Sequence, residues 1–155
     1  MAPHATSHLE RLLTKITFHG DTGCWLWKAN VSRGYARISV GGVTEMVHRL
    51  TYKWLVGPIP EGLPLDHLCH NADASCPGGE TCPHRRCLNP AHLEPVTHRE
   101  NILRGRGIGA LNAAKTHCPR GHPLEGENLY VPPNGDRLCR TCRRARDAAR
   151  KHARS

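Results

Sequence analysis

Large aromatic side chains are scarce in this sequence. Phenylalanine, tryptophan and tyrosine make up 5% of the 155 residues, and apolar residues as a whole 38%. We therefore expect one domain, or one small domain with an appendage, around a thin apolar core. Such a core usually needs disulfides or structural metal ions, and the eight cysteines and twelve histidines could supply them.

Long apolar runs are also absent. Residues 1–13 contain no uninterrupted apolar segment of the secretory type. Nothing later approaches the roughly 20 apolar residues of a membrane span. The sequence therefore predicts a cytoplasmic protein with no membrane partner. A reducing compartment disfavours disulfides, so cysteines interleaved with histidines favour zinc.

Negative charge is lacking only in the last third of the chain. Residues 1–100 hold 10 Lys+Arg against 9 Asp+Glu, a net charge of +1. Residues 101–155 hold 12 against 4, a net charge of +8. This asymmetry favours a polyanionic partner, most of all a nucleic acid. The alternative is that the basic segment is a solvated tail that only aids solubility.

Apolar periodicity and turn residues predict a mixed α+β chain. The first helix would follow a capping Ser7 and present four apolar residues at helical spacing: Leu9, Leu12, Leu13 and Ile16. Strands are predicted at 23–27, 35–40, 43–47, 64–69 (ending near His67) and 92–97, and helices at 48–56, 98–105 and 142–155. The predicted organisation is an N-terminal helix or arm (1–22), a central domain (23–105), a mobile linker (106–116) and a C-terminal Cys/His module with a basic helix (117–155).

Two sets of cysteines and histidines have the spacing of zinc ligands. The C-terminal set is Cys118-x3-His122 and Cys139-x2-Cys142, two ligand pairs joined by a hairpin, which suits tetrahedral Zn²⁺. The other set is Cys69, Cys87 and His92. Spacing leaves its fourth ligand open among Cys24, Cys76 and Cys82. Each site would be structural, because it holds a loop with little core of its own.

A third group of polar residues lies along a strand–loop–strand–helix arrangement: Asp66, His67, Asn89 and Asn101. Phosphodiester hydrolysis needs a base to deprotonate water, and a neutral histidine can serve. It also needs a cation near the leaving oxygen, and amide and carboxylate oxygens suit Mg²⁺. Four further histidines, His70, His84, His98 and His117, receive no role.

The segments LDHLCHN (65–71), RCLNPAHLEPVT (86–97) and HRENILRG (98–105) resemble the signature of HNH endonucleases. They are most similar to the zinc-bound branch that includes His-Cys box homing endonucleases and small phage HNH proteins. The flanking GCWLW and VHRLTYKWLVGPIP, and the tail HCPRGHP with CRTC, extend the resemblance over most of residues 23–143. The resemblance implies an α+β fold with a zinc-stabilised ββα-metal (His-Me finger) core, an N-terminal β-hairpin and a C-terminal zinc module.

The same resemblance implies a role for each polar residue. His67 would be the general base, Asn101 a ligand of the catalytic Mg²⁺, and Asp66 a ligand as in some HNH branches. Asn89 would hold its loop through backbone hydrogen bonds, and Cys24 would complete the first of two structural zinc sites. The implied products carry 5′-phosphate and 3′-hydroxyl ends. The setting would be a bacterial or phage-infected cell.

The expected partner is double-stranded DNA. The hairpin 35–47 would enter a groove and present Arg37, while Arg49, Arg104 and Arg106 are further DNA contacts and the basic segment from Arg140 adds salt-sensitive affinity. Cutting both strands with one active site per chain would suggest a homodimer. The alternative function is a zinc-stabilised DNA-binding protein that does not cleave. Residues 72–86 are an insertion in the family pattern. Their Cys76 and Cys82 could extend zinc binding or compete with Cys24, and we expect them to be free or loop-stabilising.

Overall fold

The computed structural model describes residues 8–153, and this part of the chain divides after Asn101 into two compact units. Helix α1 (His8–Leu13) opens the first unit, and the predicted cap Ser7 lies outside the described residues. Ile16, predicted on the face of this helix, instead begins strand β1 (Ile16–Phe18). The reason is tertiary: β1 pairs antiparallel with β2 (Trp25–Trp27), with Ile16 opposite Trp27, and a β-branched residue suits that position.

A three-stranded antiparallel sheet follows, with the order β3 (Val31–Ser32), β4 (Tyr35–Val40) and β5 (Val43–Met46). The β4–β5 turn is the predicted two-glycine hairpin. Gly41 and Gly42 have φ angles of 57° and 82°, which a two-residue turn of this type requires and glycine adopts without strain. Helix α2 (Val47–Leu55) begins directly after β5.

The apolar core of the first unit is small, as the composition predicts. It consists of eight buried residues: Leu12, Ile16, Trp27, Ala36, Ile38, Val47, Leu50 and Leu88. The Trp27 indole donates a 3.1 Å hydrogen bond to the carbonyl of Asn30, so its buried N–H is satisfied. Residues 8–18 therefore contribute to the body of this unit through Leu12 and Ile16.

The predicted strand–loop–strand–helix arrangement is present. Strand β6 (Leu65–His67) pairs antiparallel with β7 (Leu93–Pro95). Helix α3 (Leu68–Ala72) follows β6 immediately. The remaining connection contains three short 3₁₀ turns: Gly79–Thr81, Pro83–Arg86 and Pro90–His92. Helix α4 (His98–Arg104) then follows β7.

A capping box starts helix α4. The Glu100 carboxylate accepts hydrogen bonds from the Thr97 amide (2.8 Å) and hydroxyl (2.7 Å), while the Thr97 hydroxyl accepts one from the Glu100 amide (3.2 Å). Such reciprocal bonds satisfy amides that a helix start leaves unpaired. The Asn101 amide bonds the Thr97 carbonyl at 3.0 Å, so Asn101 lies one turn into the helix.

The second unit contains helix α5 (Ile108–Ala114), the antiparallel pair β8 (Leu129–Tyr130) and β9 (Leu138–Cys139), and helix α6 (Arg140–His152). Most of the stretch predicted as a linker, 106–116, is thus helical, because α5 has the sequence IGALNAA, rich in strong helix formers. Within residues 8–153, no helix is both long and apolar enough to span a membrane.

Candidate metal centres and polar site

The first Cys/His cluster joins four residues from distant parts of the first unit: Cys24, Cys69, Cys87 and His92. Their ligand atoms all lie within 4.8 Å of one another. His92 Nδ1 lies 3.6 Å from the Sγ of Cys24 and 3.6 Å from the Sγ of Cys87. Of the three residues that spacing left open, Cys24 therefore joins this cluster.

Asn89 ties the loop beside this cluster to the chain around Cys24. Its side-chain amide donates a 2.7 Å hydrogen bond to the Gly23 carbonyl. Its side-chain oxygen accepts one from the Ala91 amide at 3.0 Å. Both partners are backbone groups, so Asn89 holds together the segments that carry Cys24 and His92.

The C-terminal cluster contains the predicted residues of the second unit: Cys118, His122, Cys139 and Cys142. Cys118 Sγ lies 3.5 Å from His122 Nδ1 and 3.6 Å from Cys142 Sγ, and His122 Nδ1 lies 3.3 Å from Cys142 Sγ. The β8–β9 pair and the start of α6 bring the last two ligands to the first two.

A further cluster, which sequence analysis did not predict, is formed by His70, Cys76, Cys82 and His84. It contains both cysteines of the insertion and two of the histidines that received no role. The signal that could have indicated it is the short segment from His70 to His84, which holds two cysteines and two histidines. The three clusters together use all eight cysteines of the chain.

One cysteine in each of two clusters has a lowered pKa, which favours its thiolate. The hydrogen bond from the Cys69 thiol lowers the pKa of Cys87 to about 4. The pKa of Cys139 is lowered to about 6, chiefly by the backbone amide of Cys142, which donates to the sulfur at 3.5 Å. Zinc binds the thiolate form of cysteine. The pKa of each other cysteine with a resolved shift is raised. The three clusters could hold zinc because each gathers four thiol and imidazole donors.

His67 lies at the end of β6 and is buried. Burial lowers the pKa of its imidazole, and a hydrogen bond to the backbone of Cys87 opposes this shift. Its Nε2 atom is buried and has no hydrogen-bond partner among the described residues. A buried polar atom without a partner is rare and points to a role.

His48 on α2 is a second buried imidazole, and sequence analysis did not single it out. Its ring centroid lies 5.1 Å from that of His67, and the Tyr35 ring lies 5.6 Å from His48 and 6.2 Å from His67. Burial lowers the pKa of His48 to about 3. Its Nδ1 is likewise unpartnered within the described chain, so two neighbouring rings each offer one free nitrogen.

The predicted oxygen ligands lie on the two elements expected. Asp66 is buried on β6, next to His67, and accepts a 2.7 Å hydrogen bond from the Asn71 side chain. In the strand pair it stands opposite Glu94. Asn101 is half-buried on α4, the helix that follows β7.

The four predicted DNA-contacting arginines differ in exposure. Arg37 is exposed on β4, and Arg104 and Arg106 are exposed in the second unit. Arg49 is half-buried and donates a 3.4 Å hydrogen bond to the Leu63 carbonyl. Part of its guanidinium is therefore already engaged within the protein.

The fold and these side chains define an α+β protein with small sheets and Cys/His clusters that could bind metal. The chain belongs to the family of the "Uncharacterized gene 5.3 protein" of Enterobacteria phage T3. The two are 31% identical over 98 residues, which cover 57% of this chain and 84% of the phage protein.

Protein 7.7 of Escherichia phage T7 is a second relative. It is 33% identical over 88 residues, which cover 54% of this chain and 58% of the phage protein, so the chain spans little more than half of that relative. No family model matches the sequence, and no solved structure matches it.

Proposed function

We propose that this protein is a metal-dependent DNA endonuclease of the HNH (His-Me finger) type. It would hydrolyse phosphodiester bonds of double-stranded DNA and leave 5′-phosphate and 3′-hydroxyl ends. The observation that carries the proposal is the buried, unpartnered Nε2 of His67 on a strand pair that leads into the capped helix of Asn101.

His67 is the general base in this proposal. The backbone of Cys87 orients its ring through a hydrogen bond. The free Nε2 can then accept the proton of an attacking water. The neighbouring His48 offers a second unpartnered nitrogen, so a water between the rings would find the polar partners that a buried water requires. His48 would thus be a positioning residue.

Asp66 and Asn101 would hold the catalytic Mg²⁺. A carboxylate and an amide oxygen are the hard donors that this ion prefers, and the carboxylate of Asp66 is oriented by Asn71. When bound, the ion stabilises negative charge that develops on the leaving oxygen. The chain's own part in this proposal is to supply the two oxygens from β6 and α4.

Positive charge supports DNA as the substrate. Helix α6 carries six arginines and lysines and one acidic residue. Arg140 and Arg143 stack over the Tyr130 ring at 5.2 and 5.4 Å, which pre-orients two of these cations. Contacts of this kind add sequence-independent affinity that falls with salt. Arg37, exposed on β4, would contribute groove contacts.

The test is incubation of supercoiled plasmid with the zinc-loaded protein, with and without Mg²⁺. We expect Mg²⁺-dependent nicked or linear DNA, and at least a hundredfold loss of rate in His67→Ala and in the size-matched His67→Asn, since general-base catalysis contributes about 10²- to 10⁴-fold. His19→Ala, which replaces an exposed histidine outside the clusters, is the matched control and should cut normally.

Zinc content and thermal midpoint are measured for each variant, so that loss of cleavage is separated from loss of folding. Normal cutting by His67→Asn would reject His67 as the base. DNA binding without any cleavage, after varied target sequences, would instead establish a zinc-stabilised DNA-binding protein. Linear product at single-hit conditions would indicate a homodimer acting on both strands.

A further inference from the structure

We propose that His70, Cys76, Cys82 and His84 bind a third structural zinc ion, which organises the insertion at residues 72–86. This inference does not depend on nuclease activity. It concerns the middle cluster, whose ligand atoms all lie within 4.8 Å of one another and whose residues are buried except for the half-buried His70.

The two sulfur–nitrogen distances from Cys82 are close to those of a tetrahedral site, and its sulfur–sulfur distance is about 0.4 Å shorter. With Zn–S near 2.3 Å and Zn–N near 2.0–2.1 Å, tetrahedral ligands are about 3.8 Å apart for two sulfurs and about 3.5 Å for sulfur and nitrogen. Cys82 Sγ lies 3.4 Å from Cys76 Sγ, 3.5 Å from His70 Nδ1 and 3.7 Å from His84 Nδ1. The two clusters predicted from spacing have sulfur–nitrogen separations of 3.3–3.6 Å.

A carboxylate behind one ligand supplies an independent observation. His84 presents Nδ1 to the cluster, and its other nitrogen, Nε2, lies 3.7 Å from Asp73 Oδ2. The second nitrogen of a metal-bound histidine usually faces a carboxylate or carbonyl in this way. Asp73 is itself held by the Ser75 amide (2.9 Å) and hydroxyl (2.6 Å).

The insertion takes no part in the apolar core of its unit. Residues 72–86 contribute no member to the apolar cluster of this unit. A disulfide does not hold it either, because the two sulfurs are 3.4 Å apart and a bonded pair is about 2.05 Å apart. Buried thiols and imidazoles in a segment without apolar packing are stabilised most strongly by a shared metal ion.

The ion would also support the neighbourhood of His67. Helix α3 carries the adjacent residues Cys69 and His70, which belong to different clusters. The helix directly after His67 would therefore be held by two zinc ions. On the other side of the insertion, Arg85 donates a 3.1 Å hydrogen bond to the Arg33 carbonyl and lies 5.0 Å from the Tyr35 ring centroid.

The first experiment measures the number of zinc ions per polypeptide in the full chain by inductively coupled plasma mass spectrometry. We expect three zinc ions in the wild type, two in Cys76→Ser/Cys82→Ser, and three in His152→Ala, whose exposed histidine lies outside the clusters. Two zinc ions in both the wild type and the double variant would overturn the proposal. So would three ions in the double variant.

If the double variant does not fold, zinc X-ray absorption spectroscopy of the wild type provides a second test. It measures the average ratio of sulfur to nitrogen ligands around the bound zinc ions. Three sites made of all twelve cluster residues contain eight sulfurs and four nitrogens, a ratio of two to one. Two sites without the middle cluster would contain six and two, a ratio of three to one. We also expect Asp73→Asn to weaken the binding of one zinc ion against a chelator by about 10- to 100-fold, whereas unchanged binding would remove Asp73 from the site.

Discussion

The two units of this chain differ in what holds them together. The first unit packs two sheets and helix α2 around eight buried apolar residues, and its Cys/His clusters lie among the loops. In the described part of the second unit, Leu124 and Cys139 are the buried residues, and Cys139 is a cluster member. Large exposed apolar side chains are also present there, Ile108 and Leu111 among them.

The comparison shows that two sources of stability, apolar burial and metal binding, contribute differently to the two units of one short chain. Apolar burial contributes about 25 cal/mol per Å², so a unit with two buried side chains gains little from it. A structural zinc ion contributes apparent free energies of about 10–16 kcal/mol in small zinc-finger peptides. The second unit should therefore fold only with its metal, whereas the first has two sources of stability.

The largest effect should come from removing zinc from the full chain with a strong chelator. We expect amides of β8, β9 and α6 to lose all protection from hydrogen exchange, because their unit has no other core. Amides of β4, β5 and α2 should keep measurable protection from the apolar cluster. Hydrogen exchange read by NMR checks this, and equal loss in both units would show that the first unit also depends wholly on metal.

A core substitution should produce a smaller effect in the first unit alone. Leu50→Ala removes a side chain that is 5% exposed in the apolar cluster and should lower the free energy of unfolding of that unit by about 2–5 kcal/mol. Leu55→Ala on the same helix removes a side chain that is 56% exposed and is the matched control.

Urea unfolding followed by tryptophan fluorescence reports the first unit, because all three tryptophans lie there. The urea midpoint of the zinc-bound second unit, followed by the NMR signals of its amides, should be unchanged in both variants. A shift in both units after Leu50→Ala would mean that they unfold as one, which would remove the contrast drawn above.

The smallest effect concerns pH and the buried His48. Burial lowers its pKa from 6.5 to about 3, so the folded protein keeps it neutral while the unfolded chain takes up a proton below pH 6.5. Stability from this group is present above pH 6.5 and is lost as pH falls towards 3. Between pH 7.5 and 5.5 the wild type should lose about 1.4 kcal/mol more than His48→Gln.

The comparison of the two proteins cancels the loss of zinc affinity that both undergo on acidification. Urea midpoints at the two pH values provide the measurement. Equal losses in the wild type and His48→Gln would show that the pKa of His48 is close to its ordinary value and that its ring is reached by water.

Much of the local structure could be predicted from short segments of sequence. The Gly41–Gly42 turn, the strand ending at His67 and the helix after Thr97 each depend on a few consecutive residues, and the structure contains all three. The stretch predicted as a linker contains helix α5, which its helix propensity favours. Ile16 was predicted in the first helix but lies in strand β1, because it pairs with Trp27, eleven residues away.

The C-terminal cluster could be predicted from sequence alone: Cys118, His122, Cys139 and Cys142. The two ligands of each pair are a few residues apart, and the segment between the pairs is short, so few chain conformations other than a hairpin can bring all four to one metal ion. Cys24, whose fellow ligands lie 45 and more residues later, was implied by the family resemblance although spacing did not select it, and it lies in the first Cys/His cluster. Two features needed the tertiary structure: His48 lying beside His67, and His70 and His84 meeting Cys76 and Cys82. Each of these brings together residues whose spacing fits several partners equally well. Only the packing of the strands, α2 and α3 against one another selects which side chains meet, because burial and contact depend on the whole chain and not on any one segment of it.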